Sequence, residues 1–165
     1  MTDQHERSAR VLDPAYVVDL ANREISDLRV MHSECLELET EVSYVRRLCQ
    51  ARIDILEAEI ERRATGGSLE DLIARLPQIL ADAGPRANPA KSRLPIQMAP
   101  EQESEWAPQL GESEALLANL PSLSEDGLRA AIVGLRSLER DVSDQRRQLH
   151  TVIDQIDRVL AEQLA

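Results

Sequence analysis

Apolar residues recur along two stretches of this chain at alternating steps of three and four. The first stretch runs through Leu28, Met31, Cys35, Leu38, Val42, Val45, Cys49 and Leu56. The second runs through Leu128, Ile132, Leu135, Leu138, Val142, Leu149, Val152, Ile156 and Leu160. That period belongs to helices packed along a narrow seam. No Gly or Pro interrupts the chain from Arg23 to Arg63, so the spacing predicts long helices over about 23–64 and 124–164. At 1.5 Å per residue the first is roughly 60 Å long. Thr65-Gly66-Gly67 stops it, and Ser124 after Pro121 caps the start of the second. Two such helices cannot each leave an apolar face in water, so they are expected to zip together. The connection between them, about sixty residues, permits either direction.

Shorter elements are marked by caps and breakers. Residues 1–12 read as a flexible tail. Asp13-Pro14 starts a short helix over 13–21 carrying Tyr16, Val17, Val18 and Leu20. Ser68-Leu69-Glu70-Asp71 is a capping-box variant that opens an accessory helix over 68–82, bent or interrupted at Pro77. Residues 84–116 hold five prolines, 85, 89, 95, 100 and 108, among polar filler. They read as a disordered linker, with Trp106 solvated.

Composition sharpens the fold class. Among 165 residues there is no Phe, with two Tyr and one Trp, while 42% are hydrophobic and 30% charged. Aliphatic seams without aromatic bulk predict an all-α protein and argue against a sandwich or a doubly wound sheet. Acidic residues outnumber basic ones, 30 to 19, for a net charge of −11. Such a surface repels a nucleic-acid backbone, so direct DNA binding is not expected and a basic protein partner is. The polar N-terminal stretch and the lack of any apolar run near 20 residues predict no membrane association. Cys35 and Cys49 lie fourteen residues apart on one seam, too far along a helix to bridge. They suit a reducing, cytoplasmic setting as small core hydrophobes. No nucleophile–base constellation, phosphate loop or metal-ligand set can be assembled, so no enzymatic activity is expected.

A repeat supplies the candidate chemistry. Laid without gaps over 135–163, residues 35–63 repeat Leu38-Glu39, Val42-Ser43, Arg46-Arg47 and Ile53-Asp54 as Leu138-Glu139, Val142-Ser143, Arg146-Arg147 and Ile153-Asp154. Apolar matches would arise in any two seam helices, whereas polar ones would not. Glu39, Ser43, Arg46, Gln50 and Asp54 correspond to Glu139, Ser143, Arg146, His150 and Asp154. Steps of four, three, four and four keep each set within a stripe roughly 80° wide beside the seam.

A solvated charged flank would place opposite charges at i+3 or i+4. Arg46 and Arg146 have none at those offsets. They are therefore reserved for the other helix, as a purely structural adaptor would use them, or for a ligand. Guanidinium groups of both stripes already locked onto carboxylates across the pair, or stripes pointing away from each other, would overturn the ligand reading in favour of the structural one. An Arg fork suits phosphate oxygens or guanine, and a carboxylate suits the adjacent N–H donors of guanine's pairing edge. Duplicated stripes suit a ligand that is itself twofold, and a cyclic dinucleotide fits.

The signature Glu-x3-Ser-x2-Arg-x3-Gln-x3-Asp, complete in Glu39–Asp54 and repeated with His150 in place of Gln, resembles that of the RsiG family of anti-sigma factors. The resemblance implies an antiparallel coiled coil of the two signature helices. It also implies cyclic di-GMP as regulatory ligand, bound on that surface as a partly intercalated dimer, and sequestration by the loaded form of a sporulation sigma factor of the WhiG type. Carried over by position, Arg46, Arg146, Asp54 and Asp154 would hold guanine and phosphate groups. Glu39, Ser43, Gln50, Glu139, Ser143 and His150 would complete the two stripes.

Overall fold

The computed structural model describes residues 2–82 and 106–165. Five α-helices and three short 3-10 turns make up their regular structure, with no strand among the described residues: α1 (Thr2–Leu12), α2 (Ile25–Thr65), α3 (Leu69–Asp82), α4 (Ala107–Ala118) and α5 (Glu125–Leu164). The all-α class is as the seam pattern predicts, and both long helices start and stop within two residues of the expected bounds. None of the described helices is long and apolar enough to cross a membrane. The chain divides into two compact units, one holding residues 2–44 and 142–165, the other residues 45–82 and 106–141. Segments of α2 and α5 contribute to each.

In the first unit the seam residues Leu28, Cys35, Leu38 and Val42 of α2 and Val142, Leu149 and Ile156 of α5 are almost fully buried. Each such side chain contributes roughly 1.5–3 kcal/mol relative to exposure. The polar contacts beside them fix the direction of pairing. His32 Nε2 lies 3.0 Å from Asp157 Oδ1, and Arg146 Nε lies 2.9 Å from Glu39 Oε1. Moving up α2 moves down α5, so the two segments are antiparallel, as the resemblance implies.

The expected tail over residues 1–12 is instead α1. Val11 is fully buried and Ser8 nearly so. Arg7 donates to Glu41 at 2.6 Å, Arg10 pairs with Glu34, and Gln145 donates to the Ser8 hydroxyl. The helix carries almost no apolar stripe of its own. Ion pairs to α2 hold it, and these leave no period in the sequence. The Asp13 carboxylate accepts from the Ala15 amide at 2.7 Å, the expected cap. The single helix expected over 13–21 is replaced by two 3-10 turns, Pro14–Val17 and Leu20–Asn22. Asp19 between them has φ 58°, a left-handed conformation that no right-handed helix continues through.

In the second unit Val45, Cys49, Ile53 and Leu56 of α2 and Leu128, Ile132, Leu135 and Leu138 of α5 form the seam. Gln50 donates to Glu139 and Arg136 to Glu57, again an antiparallel register. α3 begins with the reciprocal box read from sequence. The Ser68 amide donates to Asp71 at 2.9 Å, and the Asp71 amide donates to the Ser68 hydroxyl at 3.2 Å. The helix runs on past Pro77 to Asp82, so the proline does not interrupt it.

Part of the expected linker over 84–116 is also ordered. Residues 84–105 lie outside the described residues, but α4 comes after them, with Pro108 in its first turn, where a missing amide costs nothing. Trp106, expected to be solvated, is 8% exposed. The helix that follows it is held by a long-range contact from Arg52, itself 8% exposed. Its guanidinium donates to the Leu110 carbonyl at 2.6 Å and to the Ser113 hydroxyl. Hydrogen bonds from a charged donor are worth about 1.5–3 kcal/mol, so Arg52→Ala should loosen α4. Since Trp106 is the only tryptophan, its fluorescence should shift to the red in that variant while the far-ultraviolet signal of the long helices persists.

The two units are built alike. α1 leads through a turn containing Pro14 into α2, and α4 leads through a turn containing Pro121 into α5. Ser124 caps α5 as read from sequence, accepting from the Gly127 amide at 3.1 Å.

Candidate ligand-binding site

Antiparallel pairing of two copies of one signature has a geometric consequence. An early position of one copy faces a late position of the other, so every cross-helix contact should occur twice with the copies exchanged. Both units show this. In the first unit Glu39 meets Arg146 and His150. In the second Glu139 meets Arg46 and Gln50, the same pairings reversed.

The first cluster is tightly knit. Oε1 of Glu39 accepts from the Ser43 hydroxyl at 2.7 Å and from Arg146 Nε at 2.9 Å, and lies 3.1 Å from His150 Nε2. Arg146 Nε also reaches the Ser43 hydroxyl at 2.9 Å. Burial pushes the Glu39 carboxyl up, but the bonds from Ser43, His150 and Arg146 outweigh it and hold the group below the usual carboxylate range. With its folded value depressed, Glu39 contributes stability that is complete above the unfolded value near 4.5. That contribution disappears as pH falls through the lower folded value. Glu39→Gln should therefore narrow the difference in melting temperature between pH 7 and pH 3, measured against wild type by circular dichroism.

The second cluster is looser. Gln50 Nε2 donates to Glu139 at 3.3 Å, while Arg46 Nη1 stands 3.8 Å from the same oxygen, beyond hydrogen-bond reach. Arg46 Nε is buried and has no hydrogen-bond partner. A buried guanidinium donor left this way costs more than a neutral one, and an added acceptor would relieve it.

Seven of the ten candidate residues thus gather into two clusters. Of the other three, Asp54 in the second unit and Ser143 in the first are half-buried with partners of their own, and Asp154 in the first is exposed. The arginines lack partners in their own helix, as the spacing predicts. Arg146 has found a carboxylate across the pair, and Arg46 has only approached one.

Sequence reasoning passed over a buried acid in the second unit. Glu59 has a fully buried side chain that binds two arginines. Arg62 grips it through Nε at 2.7 Å and Nη2 at 2.8 Å, and Arg63 Nε reaches it at 2.6 Å. The two hydrogen-bonded cations hold its carboxyl below the ordinary range in spite of burial. Arg62 also donates to the Gly67 carbonyl, and Arg63 to the carbonyls of Leu120 and Leu123. One carboxylate thereby positions the end of α2 and the turn before α5. The i+3 and i+4 arginines were the available signal.

Residues 14–80 match the family model described as RsiG-like. This stretch of the chain is RsiG-like. The RsiG-like segment takes in both 3-10 turns before α2, all of α2 with the complete signature copy, and α3 to Leu80. The second copy, on α5, lies beyond it. No curated protein matches the chain significantly.

Proposed function

We infer that the protein is an anti-sigma factor whose hold on its sigma factor is governed by cyclic di-GMP. The RsiG-like segment supports the anti-sigma role in general. The observation that carries the finer reading is the gathering of seven signature side chains into two like clusters beside the seam, one in each unit. Each cluster is a recognition set for one guanine and one phosphate group: a fork for the phosphate oxygens or the base, and a carboxylate for the guanine N–H donors. Arg46, which stands 3.8 Å from Glu139, gives up only a long ion pair to accept such a group. Arg146 must first exchange Glu39 for it. A phosphate oxygen takes over the guanidinium, and the released carboxylate becomes an acceptor for guanine. The fixed arginines offset the repulsion between a dianionic ligand and a chain of net charge −11. The loaded protein then sequesters a sigma factor of the WhiG type, in the role of a regulator rather than an enzyme.

The bond between Arg146 and Glu39 favours one competing reading, a structural helix-pair adaptor that binds no small molecule. Calorimetry separates the two. Saturable heat on titrating cyclic di-GMP, together with sigma-factor capture that depends on the nucleotide, supports the regulator. No heat at micromolar protein and nucleotide supports the adaptor.

A further inference from the structure

Among the described residues, part of the apolar face of α3 is left uncovered. On a helix at 100° per residue, Leu69, Ile73 and Leu80 fall within an arc of about 40°. They are 42%, 56% and 48% exposed. Leu72, on the edge of the same apolar arc, is buried and anchors the helix. An ion pair from Arg75 to Glu61 of α2 at 3.1 Å holds it from the polar side. The helix is therefore fixed in place without using these three aliphatic side chains, and a stripe of large hydrophobes held outward marks an interaction surface.

We propose that the exposed stripe of α3, through Leu69, Ile73 and Leu80, docks an amphipathic helix of the sigma factor, one with aliphatic anchors flanked by basic residues. The proposal rests on the anti-sigma reading above and adds where the partner is held. Two observations choose this occupant. The RsiG-like segment ends at residue 80, the last position of the stripe, so the face lies wholly within the part of the chain that carries the family likeness. The charge beside the stripe is acidic: exposed Glu70 stands about 60° from Ile73, while the one cation of α3, Arg75, lies on the far side and is committed to Glu61. An aliphatic strip with an acidic rim complements an aliphatic strip with a basic one, by the helix-in-groove mode of recognition.

The test uses the full chain, cyclic di-GMP and a recombinant WhiG-type sigma factor. Ile73→Glu combined with Leu80→Glu should weaken sigma binding at least tenfold while nucleotide binding and helicity are unchanged. A second variant, Ile73→Cys, reads the face directly. Cys35 and Cys49 are fully buried and burial pushes both thiols up to about 11, so the introduced thiol is the reactive one. It should label quickly in the free protein and slowly in the complex. Undiminished sigma binding by the double variant, or an introduced thiol that stays reactive in the complex, overturns the docking face and leaves the anti-sigma reading intact. Failure of the wild type to bind the sigma factor removes that reading and this proposal with it. Protection in the free monomer would assign the stripe to the chain's own cover, and protection that grows with concentration would assign it to a second copy. Either result overturns the proposal.

Discussion

Glu59→Ala should cost about 2–4 kcal/mol of stability, one of the largest losses available to a single polar substitution in this chain. Removing one partner of a fully buried ion pair typically costs ~3–5 kcal/mol, because the other charge is stranded. The figure is set lower here because Arg62 and Arg63 keep about a quarter of their surface in water, 22% and 24%. The damage does not stop at the pair. Arg62 and Arg63 would lose the carboxylate that aims them at the carbonyls of Gly67, Leu120 and Leu123, so the end of α2 and the turn before α5 should loosen together. For a protein of this size the melting temperature should fall by roughly 5–15 °C. Hydrogen exchange should show the loss of protection concentrated around residues 60–67 and 120–128. A change below about 0.5 kcal/mol would mean that the arginines find other partners, and that Glu59 organises nothing.

Arg46→Ala together with Arg146→Ala should abolish cyclic di-GMP binding, with each arginine contributing about 1.5–3 kcal/mol through charge-assisted bonds. Together these amount to at least a hundredfold in affinity. The single variants should differ in a second respect. Arg146 is already bonded to Glu39 and Ser43, so Arg146→Ala should lower both thermal stability and affinity. Arg46 stands 3.8 Å from Glu139 with its Nε unpartnered, so Arg46→Ala should lower affinity while leaving the melting temperature nearly unchanged. If both variants destabilise equally and neither alters ligand heat, the stripes are structural and the regulator reading fails. His150→Gln, which restores the residue found at Gln50, should retain binding.

The long helices were legible because an aliphatic seam repeats in the sequence whatever its partner. The absence of local partners for Arg46 and Arg146 was legible for the same reason, since i+3 and i+4 neighbours can be counted. What Arg146 would meet was not. That depends on a register set across a separation of 107 residues, and only the antiparallel direction of pairing brings Glu39, rather than Arg46, opposite it. α1 was missed because its hold on the first unit is electrostatic, through Arg7 and Glu41, and leaves no apolar period. Trp106 was read as solvated because prolines surround it. Pro108 is better understood as the opening of a helix, and the buried contact from Arg52 to α4 has no sequence signal at all. The capping residues Asp13, Ser68 and Ser124 were readable because a cap is a local bond.

The composition of the first unit sets an order of events during synthesis. Its α2 segment leaves the ribosome early, but the α5 residues that cover Leu38 and Val42 are about a hundred positions further on. At about 5–20 residues per second, that aliphatic face stays uncovered for roughly 5–20 s. The second unit needs only residues up to 141 and can close first. The Glu39–Arg146 cluster therefore forms after the second unit can close, once the α5 residues beyond 141 have emerged.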